Sequence, residues 1–266
     1  MNQRLPILLY HSVTDSPAPG LERFTVSPAR FAEHLDFLLD DDRPVLALAE
    51  AASAIGSGAP LPEGAVVVTV DDGLADFADH AWPELRARGM TATLYAVAGY
   101  LDGRSRWLPG AAGDTAMLGA RDLQDLADDG VDIGSHTMTH PQLDLVPPSR
   151  ARRETVESKD VLEQLLGRPV GTFAYPHGHH SRAIRDLVVE AGYSSASAVR
   201  NMVSHDRDAL FALGRLTIPD RVTVGRLGRL VEGRGVRRAP RRELLRTKAG
   251  RQARRLRSVR PGRRSS

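Results

Sequence analysis

The sequence contains no cysteine, which removes disulfides, thiolate metal ligands and a cysteine nucleophile at a stroke. Any metal centre must therefore be assembled from His, Asp and Glu. Long apolar runs are missing too: no stretch approaches the roughly 18 residues that a membrane-spanning helix needs. The short run Leu5 to Tyr10 behind Arg4 is too brief for the core of a secretory leader, and no small-residue cleavage site follows it. The expectation is a cytoplasmic protein.

What is present suits a folded enzyme. At 266 residues, with 41% hydrophobic and 26% charged residues, the chain is long enough for one large α/β domain with a substantial core. The net charge of +3 hides an asymmetry. From Arg234 to Ser266 there are 14 Lys and Arg against one acid, Glu243, which leaves 22 bases and 32 acids before it. The division predicted is a catalytic domain over 1–233 and an Arg-rich tail over 234–266. The tail is too poor in large apolar residues to offset its ordering entropy and is expected to be disordered. It is either a solvated appendage or an arm for anionic lipid or another polyanion, which would bring the protein to a membrane surface. It lacks the interleaved aromatics on which bases stack, so nucleic acid is the weakest partner.

Along the first 220 residues, short apolar runs alternate with amphipathic stretches, the pattern of β/α units around a parallel sheet. Strands are predicted at Pro6–Tyr10, Pro44–Leu48, Ala65–Val70, Thr91–Val97, Val131–Gly134, Val170–Tyr175, Tyr193–Val199 and Arg215–Ile218. Helices are predicted from Ser27 to Leu39, Leu74 to Arg88, Arg121 to Asp129, Ser149 to Leu166 and Arg182 to Ala191. The segment Leu101 to Leu118 reads as an irregular insertion. The polar residues that stand out, His11, Asp71, Asp72, His136 and the stretch Pro176 to His180, all lie just past the carboxyl ends of predicted strands. In a β/α barrel those ends gather on one face, where active sites form.

Asp71-Asp72-Gly73 places two carboxylates where a buried strand, AVVVTV, ends. One Asp there would serve as a helix cap; two diverging side chains allow one to bind metal while the other acts as a base. His136 and His140 form H-x-x-x-H, a spacing that brings two imidazoles to one metal when the segment turns. The spacing alone is weak; its context strengthens it, since Gly134-Ser135-His136-Thr137-Met138-Thr139-His140-Pro141 follows a strand directly and is rich in hydroxyls that can support the ligands. Two His and one carboxylate leave positions open for water and substrate. The set favours zinc, with cobalt, nickel, iron and manganese also compatible.

Leu9-Tyr10-His11-Ser12-Val13, Thr69-Val70-Asp71-Asp72-Gly73, Gly134-Ser135-His136 through His140-Pro141, and Phe173-Ala174-Tyr175-Pro176-His177-Gly178 resemble, in order and spacing, the motifs of the polysaccharide deacetylase family (the NodB homology domain, carbohydrate esterase family 4). The branch most alike contains the poly-N-acetylglucosamine deacetylases, and the match spans about residues 5 to 220. The resemblance implies a distorted (β/α) barrel that removes N-acetyl groups from amino sugars. By it, Asp71 is the general base, Asp72, His136 and His140 hold the divalent cation that carries the attacking water, and His11 is the general acid. The metal and a backbone N–H near His177 would stabilise the oxyanion. Tyr175, Pro176 and His177 fall on the substrate side, and Trp107 either stacks on a sugar ring or packs its own loop. His177, His179 and His180 are a polar loop, or one of them lines the substrate groove or supplements His11 as an acid.

Two departures matter. Val70 stands where Phe is usual, an apolar exchange. Ala174-Tyr175-Pro176-His177 stands where much of the family has Arg-Pro-Pro-Tyr, so an Arg to orient the base is missing from that motif. Other readings that stay open are an amidase or deformylase acting on a small or lipid-linked substrate, and an inactive module that binds carbohydrate or membrane.

Overall fold

The computed structural model describes residues 3–236. Its strands are β1 (Arg4–Leu5), β2 (Ile7–Tyr10), β3 (Ser12–Val13), β4 (Thr25–Val26), β5 (Val45–Leu46), β6 (Val66–Val70), β7 (Thr93–Ala96), β8 (Asp132–Ser135), β9 (Thr172–Ala174), β10 (Ser195–Val199), β11 (Ser204–His205) and β12 (Leu213–Thr217). The α-helices are α1 (Pro28–Asp40), α2 (Leu48–Ser57), α3 (Trp82–Ala87), α4 (Ala120–Asp128), α5 (Pro148–Leu166), α6 (Arg182–Glu190) and α7 (Val224–Val231).

Seven strands close into a parallel barrel in the order β2-β6-β7-β8-β9-β10-β12, with β12 returning to pair with β2. The register Ile7 to Val67 through Tyr10 to Val70 sets the ends of β2 and β6 level. This is the distorted (β/α) barrel that the family resemblance implies. The expected tail lies, from residue 237 onward, outside the described residues; Val236 still packs against the core.

Alternation along each strand sorts side chains into two populations. Leu5, Ile7, Val67, Tyr95, Ala174 and Leu213 fill the barrel interior, whereas Leu8, Val68, Val70, Leu94, Phe173, Tyr175 and Leu216 face the surrounding helices. Higher in the interior the filling turns polar: Thr69, Asp71, Ser197 and Arg215 are all buried there. Every residue of β6 is buried, as expected of a strand covered on both faces.

The predicted elements recur, with differences at some of their ends. The helix expected from Leu74 begins late: Phe77–Ala81 forms a π-type turn and α3 starts at Trp82. Pro83 offers no N–H and its ring crowds the carbonyl four residues back, so the widened turn accommodates it. The strand expected to reach Leu48 stops at Leu46, and α2 follows. Its first N–H groups are capped from afar: Leu48 N donates to Thr93 Oγ1 at 2.8 Å and Ala49 N to Asp132 Oδ2 at 3.3 Å. No local Ser, Thr or Asp cap marks its start in the sequence.

Candidate active site

At the carboxyl end of β6 the chain places two consecutive residues in the left-handed region, Asp72 at φ 77° and Gly73 at φ 75°. Asp tolerates that conformation better than other side chains, and glycine adopts it freely. A Cβ at Gly73 would also stand 3.3 Å from the Cα of Ala96. The double turn ends the strand and sends the neighbouring carboxylates to different partners.

Asp71 points into the barrel. Its two oxygens accept from Nη1 and Nη2 of Arg215 at 2.6 and 2.7 Å. Arg215 Nη1 also donates to Thr69 Oγ1 at 3.2 Å, and the guanidinium lies over the Tyr95 ring, 5.3 Å from its centroid. Burial alone would push the Asp71 carboxyl up, but Arg215 outweighs it, with His136 adding to the effect, and Asp71 is held below the ordinary carboxylate range. This corrects the expectation that the base lacks an arginine: the residue is absent from the Ala174–His177 motif and is supplied by β12 instead.

Asp72 turns to the imidazoles. His140 Nε2 lies 3.4 Å and His136 Nε2 3.7 Å from its Oδ1, and the two Nε2 atoms are 3.2 Å apart. His136 Nε2 is also 3.7 Å from Asp71 Oδ2. His136 Nδ1 lies 2.8 Å from the Ala174 carbonyl oxygen. A carbonyl can only accept, so Nδ1 carries the proton and Nε2 presents a bare lone pair. Burial lowers His136 to about 4 and, with His136 beside it, keeps His140 well below its ordinary value. Both rings are therefore neutral at neutral pH. Burial and the charge of Asp71 push Asp72 up to about 8.

The donor set suits a divalent cation. Asp72, His136 and His140 offer three ligand atoms within 4.8 Å of one another, all buried and close enough to converge on one ion. One carboxylate and two imidazoles meet zinc's preferences and leave room for further ligands.

His11 follows β2 on the same face, its ring 5.1 Å from that of Phe24. Burial lowers its pKa, while Asp71 raises it and Arg215 lowers it further. The next residue is tied down: Ser12 Oγ donates to Asp76 Oδ2 at 2.5 Å, and burial pushes Asp76 up to about 6. Trp107 lies between Tyr100 and His140, with ring centroids at 5.2 and 5.1 Å. His177, exposed at φ 59°, has its ring 4.9 Å from His140.

The structure thus brings together Asp71, Asp72, His136, His140, His11, Trp107 and His177. Tyr175 is not among them: it is fully buried under the helices, its hydroxyl donates to the Phe211 carbonyl at 3.1 Å, and its ring stacks on His180 at 4.6 Å. Pro176 is buried beside it. Arg215 is the residue that the motifs did not disclose. A charged side chain amid a buried strand was the available signal, because such a charge needs a partner.

Comparison with known proteins agrees with this geometry. The chain matches the Bacillus subtilis (strain 168) protein YxkH with 24% identity over 229 residues, 86% of this chain and 76% of YxkH. Among solved structures it superposes on the Streptococcus pyogenes deacetylase PplD, solved in complex with acetate, with a TM-score of 0.77 and 22% identity over 87% of this chain and 99% of PplD. IcaB from Ammonifex degensii gives a TM-score of 0.75 and 24% identity over 86% of this chain and 97% of IcaB. Likeness at these identities concerns the fold. The polysaccharide deacetylase family model, however, matches residues 58–196, more than half of the chain, including Asp71, Asp72, His136, His140 and His177, and the chain belongs to that family.

Proposed function

We propose that this protein is a metal-dependent hydrolase that removes N-acetyl groups from an amino sugar or an N-acetylglucosamine-containing glycan or glycoconjugate. The observation that carries the reading is the pairing of a buried three-ligand cluster, Asp72, His136 and His140, with an ionised carboxylate pinned beside it by Arg215. Acetate bound in PplD accords with this reaction class.

A cation held by the cluster, zinc before cobalt, nickel, iron or manganese, supplies a Lewis acid that polarises the amide carbonyl and acidifies water. Asp71, ionised and fixed in direction, takes a proton from the attacking water. Its low proton affinity makes it ready to pass that proton on. His11, kept neutral because burial lowers its pKa, receives the proton released from the water by way of Asp71 and delivers it to the departing nitrogen. The water oxygen bonds to the acyl carbon, the C–N bond breaks, and acetate and a free amine result. Trp107 and His177, flanking His140, form the walls against which a sugar ring would lie.

The test is acetate release from N-acetylglucosamine oligomers, compared with release from small N-formyl and N-acyl amides, by the wild type, Asp71→Asn and His136→Ala. Release from the sugar that both substitutions abolish supports the proposal. Turnover confined to the small amides would favour an amidase or deformylase, and sugar binding without turnover an inactive module.

A further inference from the structure

His136 and His140 are oriented by different means. The His136 ring is tied through Nδ1 to the Ala174 carbonyl. His140 Nδ1, although buried, bonds to no other residue among the described ones. With no hydrogen bond at Nδ1, the His140 ring is directed by the backbone that carries it and by the Trp107 and His177 rings packed against it.

That backbone is held in an unfavourable shape. Thr137 at φ 72° and His140 at φ 56° both occupy the left-handed region without being glycine, and a β-branched residue such as Thr137 resists it strongly. Hydrogen bonds hold the loop. Ala98 N donates to Thr137 O and Gly99 N to Met138 O, both at 3.0 Å, and His140 N donates to Thr137 Oγ1 at 2.9 Å. Two more come from Glu154, buried two turns into α5: its Oε2 accepts from Thr139 N at 2.8 Å and its Oε1 from Thr139 Oγ1 at 2.5 Å. Arg150, one turn earlier, braces the pair, with Nε 3.4 Å from Glu154 Oε1 and Nη2 3.3 Å from Thr139 Oγ1.

We propose that Glu154 is a positioning residue for the metal centre: by gripping both donors of Thr139 it fixes the strained turn that aims His140 at Asp72 and His136. The inference rests on the metal-dependent reading above. Supporting groups of this kind change metal affinity by about 10–100-fold when removed. Glu154 lies outside the ligand set and acts on it only through the peptide before His140.

The test is zinc affinity, measured with Zn2+ alone by competition against a chromophoric chelator, alongside the unfolding stability of each metal-free protein. Glu154→Leu is expected to bind zinc about 10–100-fold more weakly. Glu154→Asp, which folds with the same charge but cannot reach both donors, should also lose affinity. Glu154→Gln should recover much of it, because its oxygen can accept from Thr139 N while its amide donates to Thr139 Oγ1. Leu162→Ala, a cavity in the core face of the same helix, should lower stability and leave affinity unchanged. Wild-type affinity in folded Glu154→Leu and Glu154→Asp would overturn the proposal and reduce Glu154 to a helix–loop tether. Failure of the wild type to bind zinc, cobalt, nickel, iron or manganese would instead remove the metal reading, and this inference with it.

Discussion

Arg215 and Asp71 stand 144 residues apart in sequence and meet as a two-pronged ion pair inside the barrel, at 2.6 and 2.7 Å. The pair fixes the direction of Asp71, the proposed base, and holds its carboxyl below the ordinary range although it is buried. Removing one partner of a buried pair leaves the other charge stranded.

Arg215→Gln should accordingly cost about 3–5 kcal/mol of stability in denaturant unfolding at neutral pH. In the wild type, Asp71 is held below the ordinary carboxylate value, so its share of stability is present at neutral pH and lost as pH falls through the depressed folded value. Without Arg215, burial is no longer offset and raises the Asp71 pKa. The acid limb of the rate profile should then move to higher pH. An unmoved limb would show that Arg215 does not tune the base.

Metal binding should release a proton. His136, lowered to about 4, and His140, well below its ordinary value, are already neutral at pH 7, whereas metal-free Asp72, near 8, is largely protonated and must ionise to bind. Calorimetric titration of Zn2+ in buffers of different ionisation enthalpy should report close to one proton released at pH 6 to 7. Affinity should rise about tenfold per pH unit and level off above about 8. Binding without proton release would contradict the assignment of Asp72 as the protonated ligand.

Two glycines make opposite predictions. A Cβ at Gly99 would lie 2.5 Å from the Met138 carbonyl oxygen, a backbone atom of the His140 loop, so Gly99→Ala should destabilise by about 1–3 kcal/mol and weaken zinc binding. A Cβ at Gly225, inside α7, meets nothing within 4 Å, so Gly225→Ala should stabilise by about 0.4–1 kcal/mol. Thermal or denaturant unfolding of the two metal-free variants checks both signs.

The barrel and its candidate metal cluster were legible because their signals are local. A β-branched run ending in two Asp, and a strand running into H-x-x-x-H, each declare a strand end and a ligand in one short segment. Arg215 was not, for its meaning lies in a partner on another strand. The predicted strand began at Arg215, which put the charge at an edge, whereas β12 begins at Leu213 and buries it in the middle. Tyr175 could have been excluded by alternation, since it shares a face with Phe173 and not with Ala174. The start of α2 was hidden because Thr93 and Asp132, far along the chain, supply its caps. Glu154 escaped notice as one acid among several on an amphipathic helix.

The most direct trial of the central claim is the initial rate of acetate release from N-acetylglucosamine oligomers by chelator-treated protein as Zn2+ is added back in fractions of an equivalent. The account predicts no release without metal and a linear rise that breaks at one equivalent per chain. Release unaffected by chelation, or none at one equivalent of zinc or of the alternative divalent cations, would contradict it.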